Sequence, residues 1–154
     1  MIRTLDFNAF SAGTIIDDEY ADLGVTVSAS GGSGDAMIFD SANPTGGDSD
    51  LASDTLEGLL IVSEDGDQSD PDDNAGRGSL FFDFDDMVRM KGVTFKDIEE
   101  TSGEGTRVIF YDDNGDVIQN HYVQPTGDGG EQFVQFNVQG VSRFEVRFEG
   151  SGAI

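Results

Sequence analysis

Two acidic loops hold the residues of this chain that are best suited to bind a metal ion. The first loop spans residues 40–51 and places Asp40, Asn43, Asp48 and Asp50 around one proline and two glycines. Ca²⁺ takes about six to eight oxygen ligands, and a glycine-rich loop can turn its backbone carbonyls inward. The same residue types also form solvated turns in which an Asx side chain hydrogen-bonds the nearby backbone. We predict that this loop binds calcium, and a solvated turn is the alternative.

The second loop carries a denser charge, with five aspartates between residues 65 and 73. Such density in a folded domain indicates a bound counter-ion, and Asp65, Asp67 and Asp72 are the candidate ligands. The loop is not an EF-hand, because Asp70 stands where that motif requires glycine and no helical pattern flanks it. The alternative is a flexible surface loop whose charges repel one another.

No combination of residues forms recognisable catalytic machinery. The single histidine, His121, has no nucleophile nearby in the sequence, so a structural or exposed position is the preferred interpretation. Carboxylates are too numerous for a glycosidase-type pair to be located or excluded by counting. No glycine-rich phosphate loop is present. We therefore predict that the chain is not an enzyme.

Aromatic side chains give limited support for sugar binding. Exposed Trp and Tyr offer large rings on which a sugar can stack, and this chain has no Trp and three Tyr. Tyr20, Tyr122 and His121 are the candidate ligand-binding residues. A sugar could also ligate a bound cation through its hydroxyls, since hard cations accept oxygen ligands.

The acidity of the chain restricts its partners. Asp and Glu number 31 against 8 Lys and Arg, which gives a formal net charge of -23. Compacting this charge costs self-repulsion unless cations neutralise part of it. Nucleic acid and anionic membranes are excluded because both require a basic face, and no apolar stretch is long enough for membrane insertion. A halophilic origin, in which the acids solvate the surface, is the rival explanation for the charge.

Apolar residues alternate with polar ones at a period of two along much of the chain, as strands with one buried face require. Asn114-Gly115 predicts a type I′ hairpin turn. Asp97, at a strand end, could point toward a site, but a solvated position is the preferred interpretation. The pattern predicts an all-β fold, a two-sheet antiparallel β-sandwich of the jelly-roll type with about ten strands. The predicted strands cover residues 2–7, 24–30, 36–39, 59–62, 80–84, 88–98, 106–111, 117–123, 132–138 and 142–148.

The chain has 154 residues, the size of one domain, and we expect residues 1–154 to form a single, monomeric β-sandwich. It has no cysteine, which excludes disulfides and zinc–thiolate sites. Its first residues enter a strand pattern directly, without the basic and apolar regions of a signal peptide. Either the protein is cytoplasmic or a signal segment lies outside this sequence. We prefer the second interpretation, in which the chain is one part of a larger protein that is secreted or displayed at the cell surface.

Several stretches resemble a recurrent domain of bacterial exported proteins, some of which carry sorting signals of the PEP-CTERM type. The stretches that carry the resemblance are residues 5–7, 12–16, 24–28, 36–51, 59–65, 70–76, 82–84 and 150–154. The resemblance implies a jelly-roll sandwich similar to carbohydrate-binding modules, in which a structural calcium is frequent. It also implies Asp48 and Asp50 as the leading calcium ligands, with Asp6 and Asp40 behind them.

These observations predict a non-catalytic calcium-binding module whose partner is a polysaccharide or another glycan. A structural or adhesive cell-surface domain, in which calcium only rigidifies the fold, is the alternative. An enzyme acting on polysaccharide is less favoured, because no nucleophile, base and orienting group can be assembled.

Overall fold

The computed structural model describes residues 1–99 and 102–154. Within them lie seven strands and two short 3₁₀ helices, Ala21–Leu23 and Ser49–Leu51. The strands are β1 (Val25–Ser30), β2 (Ala36–Asp40), β3 (Gly58–Val62), β4 (Gly78–Lys96), β5 (Arg107–Tyr111), β6 (Val117–Tyr122) and β7 (Glu131–Phe148). Among the described residues, no helix has the length and apolar character needed to span a membrane.

The strands form two antiparallel sheets, which confirms the predicted all-β sandwich class. The larger sheet has the order β1-β4-β7-β5-β6, and the smaller one pairs β2 with β3. The C-terminal residues connect the two sheets. Ala153 pairs with Lys96 at the end of β4, and Ile154 exchanges two backbone hydrogen bonds with Leu60 of β3. The end of β4 is thereby fixed beside the smaller sheet.

Seven strands are found where about ten were expected, chiefly because neighbouring apolar runs belong to single long strands. β4 joins two predicted strands in 19 residues, and β7 joins two in 18. Register shifts in the β4–β7 pair between Asp83 and Gly92 let pairing continue across an irregular stretch. In β7, Asn137 and Gly140 adopt positive φ values of 58° and 74°. Residues 2–7, predicted as a strand, have no regular structure.

The hairpin between β5 and β6 is confirmed, but its predicted turn type is wrong. A type I′ turn needs positive φ at both central residues. Gly115 has a φ of 83°, whereas Asn114 is not among the described residues with positive φ. Asp112 Oδ1 instead accepts the backbone N–H groups of Asn114 and Asp116. The side chain of Asp112 therefore stabilises a longer turn.

Alternate residues of the larger sheet build the main apolar core. Phe82 of β4 stacks on Phe144 of β7 with ring centroids 4.4 Å apart, and Phe110 of β5 lies beside Phe144 at 6.3 Å. A period of two puts these rings on the inner face and their chain neighbours on the outer face.

A smaller apolar cluster on β2 and β3 anchors the first acidic loop. Leu51 is 0% exposed and belongs to this cluster together with Phe39 and Ile61. Burial of a leucine side chain contributes about 1.5 to 3 kcal/mol. Because Leu51 directly follows Asp50 and lies three residues after Asp48, its anchoring restricts where both carboxylates can lie.

Candidate metal centre and polar sheet face

Three carboxylates from separate segments converge beyond the end of β4. Oxygens of Asp50, Asp97 and Asp128 lie within 4.8 Å of one another. Asp50 belongs to the short helix between β2 and β3, Asp97 directly follows β4, and Asp128 lies between β6 and β7. Negative charges at this separation repel one another, most strongly away from water. A cation bound between these oxygens would offset that repulsion.

Asp97 is the most buried of these three acids, with 0% exposure. Gly129 N donates to its Oδ1 at 2.7 Å, and Ser151 Oγ lies 3.0 Å from its Oδ2. Its backbone has a φ of 60°, in the left-handed region that aspartate tolerates better than most residues. The expectation of a solvated strand end is wrong, because this left-handed residue and its two donors hold the carboxylate in the interior.

A second buried acid, Asp73, shares the Ser151 hydroxyl with Asp97. Ser151 Oγ is 2.7 Å from Asp73 Oδ2, and Gly152 N donates to the same oxygen at 2.6 Å. A serine hydroxyl has one proton and fully satisfies one acceptor at a time. One of the two carboxylates therefore lacks that donor at any moment, although Asp73 is only 5% exposed.

Asp48 and Asp72 complete a group that we call the acidic centre. Asp73 N donates to Asp48 Oδ2 at 2.8 Å. Burial, together with the charges of the neighbouring aspartates, raises the pKa of Asp48 to about 7 despite that hydrogen bond. Burial also raises the pKa values of Asp72, Asp73 and Asp97. The acidic centre comprises Asp48, Asp50, Asp72, Asp73, Asp97 and Asp128.

Two oxygens of the acidic centre are buried without a donor. Within residues 1–99 and 102–154, neither Asp50 Oδ1 nor Asp72 Oδ1 has a hydrogen-bond partner. Lys96, which precedes Asp97, does not donate to these oxygens. Its ammonium group donates to Gly129 O at 2.6 Å and pairs with Glu131 at 3.4 Å. Leaving a buried acceptor unsatisfied costs about 1 to 3 kcal/mol, and more for a charged group. A cation that ligates one of these oxygens would remove that cost for the oxygen it contacts.

The donor set fits a hard divalent cation. Its side chains offer carboxylate oxygens and the Ser151 hydroxyl, which are the ligands that Ca²⁺ accepts in flexible geometry. Mg²⁺ demands near-ideal octahedral geometry and fits loop-borne ligands less readily. Asp50, Asp97 and Asp128 are the residues that would hold the ion.

Three of the eight metal-ligand candidates from the sequence, Asp48, Asp50 and Asp72, lie in the acidic centre. The remaining five make local contacts elsewhere. Asn43 donates to Asp40 at 2.7 Å, Asp65 and Asp67 accept bonds from within their own loop, and Asp6 accepts a bond from the backbone of Asn8.

Sequence reasoning missed the other three members of the centre. Asp73 stands in the same aspartate-rich loop as Asp72, so the density of acidic residues there could have identified it as a candidate ligand. Asp97 directly follows an apolar strand, and that placement could have marked it. Asp128 lies among glycines, where Gly129 comes close enough for an added Cβ to meet Asp50 O at 3.3 Å. Only the folded chain shows that proximity.

The predicted sugar contacts lie in different surroundings. Tyr20 is half-buried and packs edge-on against Phe7 and Phe10, at 5.9 and 5.5 Å between ring centroids. His121 lies edge-on to Phe136 at 4.9 Å. Tyr122 lies beneath the guanidinium of Arg107, 5.8 Å from the ring centroid.

The outer face of the larger sheet carries a polar network built on Glu145. This residue is 4% exposed although it alternates with the core residues of β7. Ser79, Tyr111 and Arg147 all donate to its carboxylate, at 2.7 to 3.1 Å. Burial raises the pKa of Glu145, but these hydrogen bonds outweigh it and the net pKa is lowered.

A cleft of about 370 Å³ lies beside this network. It is lined by Phe81, Asp83, Tyr111, Asp112, Asp113, Gly115, Ser142 and Arg143. The cleft therefore combines two aromatic rings with charged and hydroxyl groups on one sheet face.

Comparisons with known proteins give two structural likenesses. A fucose-binding module of Streptococcus pneumoniae matches with a TM-score of 0.35 and 20% identity over 53% of this chain. The chain spans 60% of the length of that module. A mutant of the lectin-binding domain of lectinolysin, complexed with Lewis b, matches with a TM-score of 0.47 and 8% identity over 90% of this chain and 93% of its own.

Both TM-scores lie below 0.5, so neither likeness identifies a ligand for this chain. No protein-family model matches the sequence, and no curated protein matches it either. The resemblance to exported bacterial domains therefore stays a prediction from the sequence.

Proposed function

We propose that the protein is a non-catalytic β-sandwich module that binds calcium at the acidic centre and a glycan elsewhere on its surface. The observation that carries the proposal is the convergence of Asp50, Asp97 and Asp128, whose carboxylate oxygens lie within 4.8 Å of one another, together with the buried Asp50 Oδ1, which has no donor among the described residues. Ca²⁺ supplies the positive charge and the coordination that such oxygens lack.

The role of the ion follows from the segments that it would join. Asp50, Asp97 and Asp128 come from three different connections between strands. Binding to the native state alone stabilises that state by mass action. Calcium would therefore hold these connections in place, which is a structural role.

Glycan binding is supported by the aromatic and polar side chains on the outer face of the larger sheet. Ligand sites combine apolar rings with a few placed polar groups, as the cleft beside Phe81 and Arg143 does. A structural or adhesive domain with the same calcium site is the second candidate, favoured because the cleft beside Phe81 and Arg143 is open to solvent. The two candidates differ in whether the calcium-loaded protein binds sugar.

Thermal melts in calcium and in chelator, at fixed ionic strength, test the metal site. At a free calcium concentration of about 100 times the dissociation constant, we expect a stabilisation of roughly 2.7 kcal/mol and a midpoint raised by several degrees. Asp50→Asn should abolish most of this calcium-induced rise in the midpoint, because it removes one negative charge from the group of carboxylates that would bind the ion. Asp54→Asn is the matched control, since Asp54 is exposed in the same loop and its substitution changes the net charge equally.

Coincident melts in calcium and chelator would contradict the metal site. If sodium chloride alone then stabilised the protein strongly, the acidic residues would be a salt adaptation instead. Equal loss of the calcium effect in the Asp50 and Asp54 variants would point to unspecific neutralisation of the surface charge.

A further inference from the structure

We propose that the cleft between Phe81, Tyr111 and Arg143 on the outer face of the larger sheet binds a neutral pyranose sugar. The inference rests on the proposed function as a glycan-binding module and assigns the position and ligand class of that activity. We call this site the sheet-face cleft, and its lining shares no residue with the acidic centre.

Three neighbouring strands supply the sheet-face cleft. In the β4–β7 register Asp83 lies opposite Arg143, and in the β5–β7 register Tyr111 lies opposite the same arginine. Phe81 is two residues before Asp83 and shares its face of β4. The strand pairing therefore fixes the backbone beneath all four side chains.

Hydrogen bonds hold the polar side chains in one arrangement. Arg143 donates from Nε and Nη2 to the two oxygens of Asp83, at 2.6 and 2.8 Å. Its guanidinium lies 5.3 Å from the centroid of the Phe81 ring. Tyr111 donates its hydroxyl to Glu145 at 2.8 Å, which fixes the ring. Such preorganisation lowers the entropy that a ligand loses to immobilise its site.

The β5–β6 turn forms a firm wall of the cleft. Ser142 Oγ donates to Asp112 O at 2.7 Å, and the side chain of Asp112 is held within its own turn. The wall presents the carboxylate of Asp113, an exposed acceptor for ligand hydroxyls. Arg143 uses Nε and Nη2 for Asp83, so Nη1 is the guanidinium nitrogen that we assign to a ligand hydroxyl.

These groups match the chemistry of a pyranose. A sugar ring has a C–H face that packs on the Phe81 or Tyr111 ring, and an edge of hydroxyls that both donate and accept. Carboxylate and guanidinium groups can serve such hydroxyls with charge-assisted hydrogen bonds. The volume of about 370 Å³ is within the range of small-ligand sites.

Charge selects a neutral sugar over an acidic one. The cleft carries three carboxylates, on Asp83, Asp112 and Asp113, and one guanidinium. The whole chain has a formal net charge of -23, which adds repulsion for any anion. Uronate and sulfated glycans would thus meet like charge both locally and at long range.

NMR titration of the ¹⁵N-labelled, calcium-loaded protein tests the proposal. The probes are methyl glycosides of glucose, galactose, mannose and fucose, short neutral oligosaccharides of each, and a uronate and a sulfated oligosaccharide as anionic probes. We expect a neutral probe to shift the amide resonances of residues 81–83, 111–115 and 142–143. Phe81→Ala and Arg143→Gln should each weaken its binding about tenfold or more, as truncation of an aromatic or arginine anchor does.

Two matched controls accompany these variants. Phe133→Ala removes a phenylalanine that is 64% exposed outside the cleft, and Arg89→Gln removes an exposed arginine elsewhere on β4. Both should bind the probe as the parent protein does. If a cleft variant melts at a lower temperature than the parent protein, its affinity is set aside. The amide shifts of the parent protein then locate the bound sugar.

Three outcomes would overturn the inference in distinguishable ways. Binding of a neutral sugar with shifts elsewhere and full affinity in both cleft variants would reject the cleft and keep the glycan-binding function. Preferred binding of an anionic probe would reject the ligand class. No binding of any probe by protein that still binds calcium would reject both the cleft and glycan binding, and would favour the structural domain.

Discussion

Ser151 shows how the acidic centre depends on individual atoms. Its Oγ atom, which has one proton to donate, lies 2.7 Å from Asp73 Oδ2 and 3.0 Å from Asp97 Oδ2. Backbone N–H groups of Gly129 and Gly152 supply one further bond to each acid. Donors from the protein are thus too few for the number of buried negative charges, so protons and cations compete for the remaining oxygens.

The raised pKa of Asp48 predicts how the calcium-free protein responds to pH. An aspartate that titrates near 3.8 in the unfolded chain and near 7 in the native state binds more protons when folded between these values. Its stabilising contribution is present below about pH 4 and is lost as pH rises through about 7. In chelator, the midpoint of thermal unfolding should therefore be higher at pH 5 than at pH 8.

Asp48→Asn is the variant that isolates this effect. The amide oxygen can still accept the bond from Asp73 N, but the side chain no longer titrates. Its melting temperature should change less between pH 5 and pH 8 than that of the parent protein. Equal pH dependence in both proteins would assign the titration to other acids. In the parent protein, calcium affinity should rise over the same interval, because protons and the ion compete.

The loop between β2 and β3 illustrates how an element positions a site. Leu51 ends its short helix and is fully buried in the apolar cluster on β2 and β3. The polar residues before it cannot form a core of their own. Leu51 therefore anchors the loop to β2 and β3. The carboxylate of Asp50 lies near those of Asp97 and Asp128, which belong to other connections.

Leu51→Ala should disturb both stability and metal binding. Truncation of a buried leucine costs about 2 to 5 kcal/mol through lost transfer energy and the cavity left behind. Because Asp50 precedes Leu51, we also expect weaker calcium binding, measured by calorimetry below the unfolding temperature. Leu23→Ala is the control, since Leu23 is 40% exposed at the end of the other short helix. Unchanged calcium affinity in the Leu51 variant would show that the loop is positioned by other contacts.

The sequence predicts the individual strands better than it predicts where strands join. Phe144, Val146 and Phe148 alternate with charged residues, and this pattern identifies their strand directly. The same period cannot show that β7 continues through Asn137 and Gly140, because bulges with positive φ interrupt the alternation without ending the strand. Asp97 was misread for a related reason: a strand end looks solvated until the loops that cover it are known.

At the scale of the whole molecule, the acidic centre was only partly predictable. Asp48, Asp50 and Asp72 stand in dense acidic loops, and composition alone makes them candidates. Asp97 and Asp128 join them only because β4 ends where the β6–β7 connection passes. The same density also marked Asp65 and Asp67, which the fold leaves exposed in local turns. The density of acidic residues in the sequence indicates which loops contain candidate ligands. Which of these candidates lie close together depends on the tertiary structure.

Limited proteolysis provides a test that reads the whole chain at once. A protease specific for glutamate can cleave after Glu57 and Glu64, which flank β3 beside the loops of the acidic centre. Calcium should slow cleavage at both sites, because local opening is needed for cutting and the ion binds the closed form. Cleavage after Glu104, an exposed residue before β5 that belongs to neither convergent carboxylate group, should be unaffected. Mass spectrometry of the fragments would distinguish this local protection from a general effect of calcium on the protease.

The separation along the chain of the proposed calcium ligands has a mechanical consequence. Asp50 and Asp128 lie roughly 80 residues apart. A covalent bridge between positions this far apart stabilises a protein by on the order of 4 kcal/mol, because it lowers the chain entropy of the unfolded state. This chain has no cysteine with which to form one. An ion bound by both aspartates would be a reversible cross-link. Reducing agents would not break it, and its occupancy would depend on the calcium concentration of the surroundings. Such a module would stiffen in calcium-rich fluid and soften when that fluid is diluted.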